Sequence, residues 1–248
     1  MGNREWKNHH PDNRIAGMIP FKALLVEGTS GVGKSTLIDA LIRRHVGASE
    51  ARKIRTLVHL AQSHTYGPLA RPEDHGTLTV DANLRHVERI VGTVEWLHAG
   101  VQEHARPWCF VLIDTLHLTH CVRPGVVKWS DVEPFDRRLA ALGCKLLFLR
   151  GTPATIWERG IKPRADQQFI QEYAKKFGRT PEEIHHYFAH EQETLAGLFS
   201  RSVMPKLLVQ NDGAPDNALE EACRFWANDL AENDLAENDL AGREVEHL

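Results

Sequence analysis

The sequence predicts a doubly wound α/β fold on a five-stranded parallel sheet, and three observations carry that expectation. Short runs rich in Val, Leu, Ile and Phe recur along the chain, segments of helical periodicity with recognisable ends separate them, and a glycine-rich turn follows the first run. Near-continuous hydrophobicity over so few residues suits strands covered on both faces, as in a parallel sheet. Regular alternation of strand and helix then implies right-handed crossovers.

Taken in order, residues 1–19 are polar, broken by Pro11 and Gly17, and read as a flexible leader. The first strand is "FKALLVE" (21–27), and "STLIDALIRRHV" after the glycine turn reads as a helix. The second strand is "IRTLVHL" (54–60). A long helix over 80–105 carries Leu84, Val87, Ile90, Val91, Val94 and Leu97 at helical spacing and stops before Pro107. "WCFVLID" (108–114) and "CKLLFLR" (144–150) are the third and fourth strands. Ser130 with Glu133 reads as a capping box, and Thr152 before Pro153 as a helix start. Thr180 with Glu183 is a second box, with Pro181 at the first helical position. "PKLLVQN" (205–211) is the fifth strand. In the terminal "NDLAENDLAENDLAG", Leu230, Leu235 and Leu240 lie five apart, a spacing that drifts around a helix. Residues 229–248 are therefore a repetitive tail, a frayed extension of the last helix. The length, 248 residues, favours one domain with a lid, here 20–228 with the lid at about 157–180.

Composition narrows the function. Lys and Arg total 30 against 33 Asp and Glu, a formal net charge of −3, which gives no bulk drive toward nucleic acid or anionic lipid. Any anion must be held by a local site. Four cysteines, Cys109, Cys121, Cys144 and Cys223, form no C-x-x-C and suggest a reducing compartment. No apolar stretch approaches the roughly 20 residues of a membrane span, so the expectation is a cytoplasmic protein, with a small-molecule partner favoured over nucleic acid or membrane and homodimerisation compatible with it. Fifteen histidines are scattered without a metal-spacing cluster, so no structural zinc is expected.

"GTSGVGKS", Gly28 to Ser35, fits G-x-x-x-x-G-K-[ST], with a strand before it and a helix after it. Glycines let the backbone turn N–H groups inward around an anion, and the helix start adds partial positive charge. The nucleotide-binding residues are thus Gly28, Thr29, Ser30, Gly31, Val32, Gly33, Lys34, Ser35 and Thr36. Lys34 reaches the β- and γ-phosphates and the Ser35 hydroxyl ligates Mg²⁺. Asp114, at the end of the third strand, is the second acidic position of such sites, a metal-shell carboxylate or a base. In "LRGTPATIWERGIKPRADQQF" (149–169), Arg159, Lys162 and Arg164 cluster around Gly160 and Pro163, as a lid clamping the transferring phosphoryl group would require. A guanine-reading N-K-x-D is missing, since "VQNDG" (209–213) lacks the lysine, and so is an L-S-G-G-Q element.

"FKALLVEGTSGVGKSTLIDALI" resembles the opening of thymidylate kinases and deoxynucleoside kinases, through Glu27, Gly28, Gly31, Gly33, Lys34, Ser35 and Thr36. The resemblance implies a P-loop phosphotransferase using ATP and Mg²⁺, with a helical arginine lid. It departs from the family at Thr115, where thymidylate kinases carry the arginine that holds the acceptor's phosphate; Arg123 or Arg71 would have to substitute. Arg150 also stands where many members are acidic. The acceptor region is "AQSHTYGPLARPEDHGT" (61–77), in which Gln62, His64 and Tyr66 can read or stack on a ring, with Asn83 and Arg85 at the start of the long helix. His117 and His120 are alternative bases. Two other readings stay open: a kinase of another hydroxylated metabolite or antibiotic, as in chloramphenicol-type phosphotransferases, and a non-enzymatic nucleotide-binding regulator.

Overall fold

Each apolar run becomes a strand. The computed structural model describes residues 21–47, 56–61, 79–104, 109–122, 127–166, 177–213 and 215–227. In it β1 (Phe21–Glu27), β2 (Thr56–Ala61), β3 (Cys109–Asp114), β4 (Lys145–Arg150) and β5 (Lys206–Gln210) form one sheet in the order β2-β3-β1-β4-β5. Every pairing is parallel. The helices are α1 (Lys34–Gly47), α2 (Val80–His104), α3 (His117–His120), α4 (Trp129–Ala141), α5 (Pro153–Thr155), α6 (Pro181–Arg201) and α7 (Pro215–Ala227). A π turn, Ile156–Ile161, and a 3₁₀ turn, Lys162–Arg164, continue α5. The leader, the acceptor stretch after Ala61 and the repetitive tail lie outside the described residues.

The strands read as continuous hydrophobics because alternate residues enter opposite cores. Phe21, Ala23 and Leu25 of β1, with Val111 and Ile113 of β3 and Phe148 of β4, pack under α2, α4 and α6. Leu24 and Val26, with Phe110, Leu112, Leu147 and Leu149, pack on the other side under α1 and α7. Val87, Ile90, Val91 and Val94 of α2 are buried against the first core, and Leu84 and Leu97 flank them.

The helix starts at Thr152 and Thr180 are as the sequence predicts. Thr152 accepts from the Thr155 amide at 3.2 Å, and Thr180 accepts from the Glu183 amide at 3.2 Å. The Glu183 carboxylate reaches back to the Arg179 amide, 2.6 Å away. The expected box at Ser130 is corrected. Here α4 starts two residues earlier, with Lys128 in the cap position and Trp129 first in the helix, and the Lys128 amide donates to Asp131 at 3.1 Å. Trp129 is buried, so packing it as the first helical residue outweighs the cap preference of Ser130. Glu133 instead pairs with Arg137 along the helix.

A buried polar knot fixes the segment that follows β3. Asp136 of α4 meets His117 Nε2 at 2.9 Å, accepts from the Ser202 hydroxyl at 2.6 Å, and accepts from the Val203 amide at 2.8 Å. Burial alone would raise the Asp136 pKa, but these partners hold it below the ordinary carboxylate value. Three elements distant in sequence are thereby pinned around one carboxylate.

Candidate active site

The central position of β1 decides where the site forms. Its neighbours are β3 and β4, on which the chain turns to opposite sides, so the C-terminal end of β1 opens on the crevice where ligands of such sheets sit. The glycine loop leaves at that point and runs into α1, whose first helical residue is Lys34. Gly33 has φ +95°, and a Cβ there would lie 2.7 Å from Asn211 Nδ2, so both backbone and space demand glycine. The Asn211 amide in turn donates to the Val32 carbonyl at 2.8 Å, tying the loop to the exit of β5.

Lys34 folds over the loop. Its Nζ donates to the carbonyls of Gly28 at 2.7 Å and Thr29 at 2.9 Å. Thr29 is fully buried, and its hydroxyl donates to the Glu191 carboxylate on α6. A cleft of about 580 Å³ opens beside the loop. Ser30, Gly31 and residues 33–36 form one wall, Arg159 and Arg164 a second, and Asn211 with Asp216, Ala218 and Leu219 a third. The structure thus brings Lys34, Ser35, Arg159 and Arg164 to one volume.

The Arg159 guanidinium grips the strand exit, donating to the carbonyls of Asn211 (2.7 Å), Gly213 (3.0 Å) and Asp212 (3.3 Å). Asp212 answers from the same segment, accepting from the Thr152 amide at 2.6 Å and the Thr155 hydroxyl at 2.5 Å. Partial burial would raise its pKa, but these donors, with Gln210, bring it down to about 2. Arg164 is exposed on the 3₁₀ turn.

Asp114 ends β3 beside the loop's origin, in register with Val26 on one side and Ala61 on the other. Thr115 follows with φ +66°, and among the described residues it is the sole non-glycine at positive φ. Its amide donates to the Val26 carbonyl at 3.0 Å and its hydroxyl to Asp114 Oδ1 at 3.0 Å. Glu27, fully buried, accepts from the amides of Leu116 (2.9 Å) and Leu118 (3.2 Å) and from the Thr119 hydroxyl (2.7 Å). That carboxylate holds the turn on which Asp114 depends.

Asn83 is buried in the first turn of α2. Gln62, His64, Tyr66, Arg71 and Arg123 lie outside the described residues. His117 and His120 are corrected as alternative bases. His117 is buried against Asp136, and His120 Nε2 lies 3.2 Å from Nδ1 of buried His86. Arg150 donates to Glu193 at 2.5 Å. Sequence reasoning missed Asn211 and Asp212, whose only signal was a polar "NDG" at a strand exit, and the buried Thr29–Glu191 pair, which joins residues 162 positions apart.

No family model and no curated protein matches the chain. Solved structures do. The YorR protein from Bacillus subtilis, in complex with phosphorylated GDP, aligns at TM-score 0.48 and 13% identity over 81% of this chain and 93% of its own. A gluconokinase from Sinorhizobium meliloti 1021 aligns at 0.45 and 16%, over 87% and 97%. A shikimate kinase from Acinetobacter baumannii, in complex with shikimate, aligns at 0.45 and 11%, also over 87% and 97%. The fold, read from its own strand order, is a doubly wound α/β fold on a five-stranded parallel sheet. Within it, Gly28–Ser35 turns from β1 into α1, and the cleft beside it is the candidate site. Among the described residues, no helix is long and apolar enough to cross a membrane.

Proposed function

We propose that this chain is an ATP-dependent phosphotransferase that moves the γ-phosphoryl group to a small hydroxyl or phosphate acceptor of the nucleoside or nucleotide kind. The observation that carries the reading is the cleft: the glycine loop, the amino end of α1, Lys34 and two arginines line one volume, an arrangement suited to several adjacent negative charges. In turnover Lys34 exchanges the carbonyls of Gly28 and Thr29 for phosphate oxygens, and Arg159 and Arg164 supply donors toward the charge that develops on them. The Ser35 hydroxyl and the Asp114 carboxylate are hard oxygen donors of the kind magnesium takes, and Thr115 orients one Asp114 oxygen. Magnesium bound there would neutralise phosphate charge.

With a hydroxyl acceptor, the acceptor oxygen bonds to the γ-phosphorus, the bond to the β–γ bridging oxygen breaks, and ADP leaves. The acceptor's proton passes to Asp114. The Lys34→Met variant tests this: it should stay folded and lose turnover by about 10²-fold or more, the scale of losing an aimed charge from such a site. Undiminished transfer would refute the reading.

A second reading, an unphosphorylated acceptor outside the nucleosides, is favoured by Thr115, whose hydroxyl is engaged with Asp114 where thymidylate kinases carry a phosphate-holding arginine. ADP release across a panel of nucleosides, nucleotides, sugars and phenicol-like antibiotics separates the two. Tight nucleotide binding without transfer to any of them would point to a regulator instead.

A further inference from the structure

We propose that Gly160 is a positioning residue for polyphosphate binding: the π turn Ile156–Ile161 seats its backbone directly on Gly31, and this contact sets the curl of the phosphate loop. The proposal rests on reading Gly28–Ser35 as a polyphosphate site.

The contact is backbone on backbone. A Cβ on Gly31 would fall 2.6 Å from the Gly160 Cα and 3.3 Å from the Ile156 carbonyl oxygen, and one on Gly160 would fall 2.7 Å from the Gly31 Cα. Neither position admits even a methyl group unless the two segments separate. Gly31 also needs glycine for its φ of +85°, whereas the φ of Gly160 lies outside the left-handed region. Alanine is a better helix former than glycine, so the turn's own conformation gives no reason for glycine at 160. The approach of the phosphate loop does. The helix widens into a π turn over this stretch, a rare geometry that concentrates at functional sites.

The turn cannot retreat easily. Ile156 and Ile161 are fully buried in one cluster with Val32, Ile184 and Phe188. Arg159, one residue before the contact, is tied to the carbonyls of 211–213, and Asn211 is tied to the Val32 carbonyl. A closed circuit therefore runs from Val32 through Asn211, Arg159 and Gly160 to Gly31. Its half-buried member is the loop at Ser30 and Gly31, so an added side chain at 160 is accommodated by displacing loop amides. Those amides bind phosphate by converging, and displacement removes the convergence.

The test is calorimetry with inorganic pyrophosphate and magnesium on the full chain, comparing the unsubstituted protein, Gly160→Ala and Gly197→Ala. Gly197 is a helical glycine with open space around it and serves as control. Gly160→Ala should bind pyrophosphate about tenfold or more weakly, as when an aimed donor is lost, while Gly197→Ala matches the unsubstituted protein. Equal affinity in a folded Gly160→Ala variant overturns the proposal. Hydrogen exchange on the unsubstituted protein decides independently of whether the variant folds: pyrophosphate should slow exchange in 28–35 and also in 156–161. Protection confined to the loop overturns the coupling. Failure of the unsubstituted protein to take up pyrophosphate or ATP overturns the functional reading itself, which distinguishes the two failures.

Discussion

Thr115 is a β-branched residue held at φ +66°, a conformation costing on the order of 1–3 kcal/mol unless its surroundings enforce it. The enforcement is visible: Val26 takes its amide, Asp114 takes its hydroxyl, and Glu27 clamps the residues that follow. Strain of this kind is retained where a side chain must be aimed, and on the proposed function that side chain is the Asp114 carboxylate. Thr115→Gly relieves the backbone and releases Asp114, so the melting temperature should hold or rise while kcat falls about tenfold, on the scale of one misaimed group. An unchanged kcat would remove Asp114 orientation from the mechanism. The motif made Glu27 visible in the sequence, but not its task, because the amides it accepts belong to residues 89 and 91 positions away.

At the scale of elements, α3, α4 and the α6–β5 junction meet at Asp136. Removing that carboxylate leaves a buried imidazole, a hydroxyl and an amide without their acceptor. Asp136→Ala should therefore cost about 3 kcal/mol, the lower part of the range for breaking a buried pair. Urea unfolding measures it, and a loss below about 1 kcal/mol would show the knot to be dispensable. The strands and most helix starts were legible because their signals are local: doubly buried runs, and a hydroxyl residue before proline or ahead of an acidic one. The start of α4 was not, because Trp129 takes its place by packing against the core, which no cap rule registers. The π turn was equally hidden, since the segment it packs against, at Gly31, is far away in sequence.

Across the whole molecule, one buried histidine, His86, links stability to pH. Burial, with help from Arg89, lowers the His86 pKa to about 4 from an ordinary 6.5. The unfolded chain therefore takes up the proton first, and stability that is complete above pH 6.5 declines as pH falls toward 4, by at most about 1.4 kcal/mol per pH unit. His86→Gln should flatten that slope in urea titrations across the same window, and an unaltered slope would place the linkage elsewhere. By itself the sequence determined the parallel α/β sheet and the glycine turn that joins β1 to α1, because hydrophobic period and glycine placement act over neighbouring residues. Only the tertiary structure decided that Arg159 grips the exit of β5, that His117 and His120 are built into the interior, and that Gly160 meets Gly31. Those outcomes depend on which distant segments the strand order β2-β3-β1-β4-β5 brings to one edge of the sheet, and proximity across a fold leaves no periodic trace along a chain.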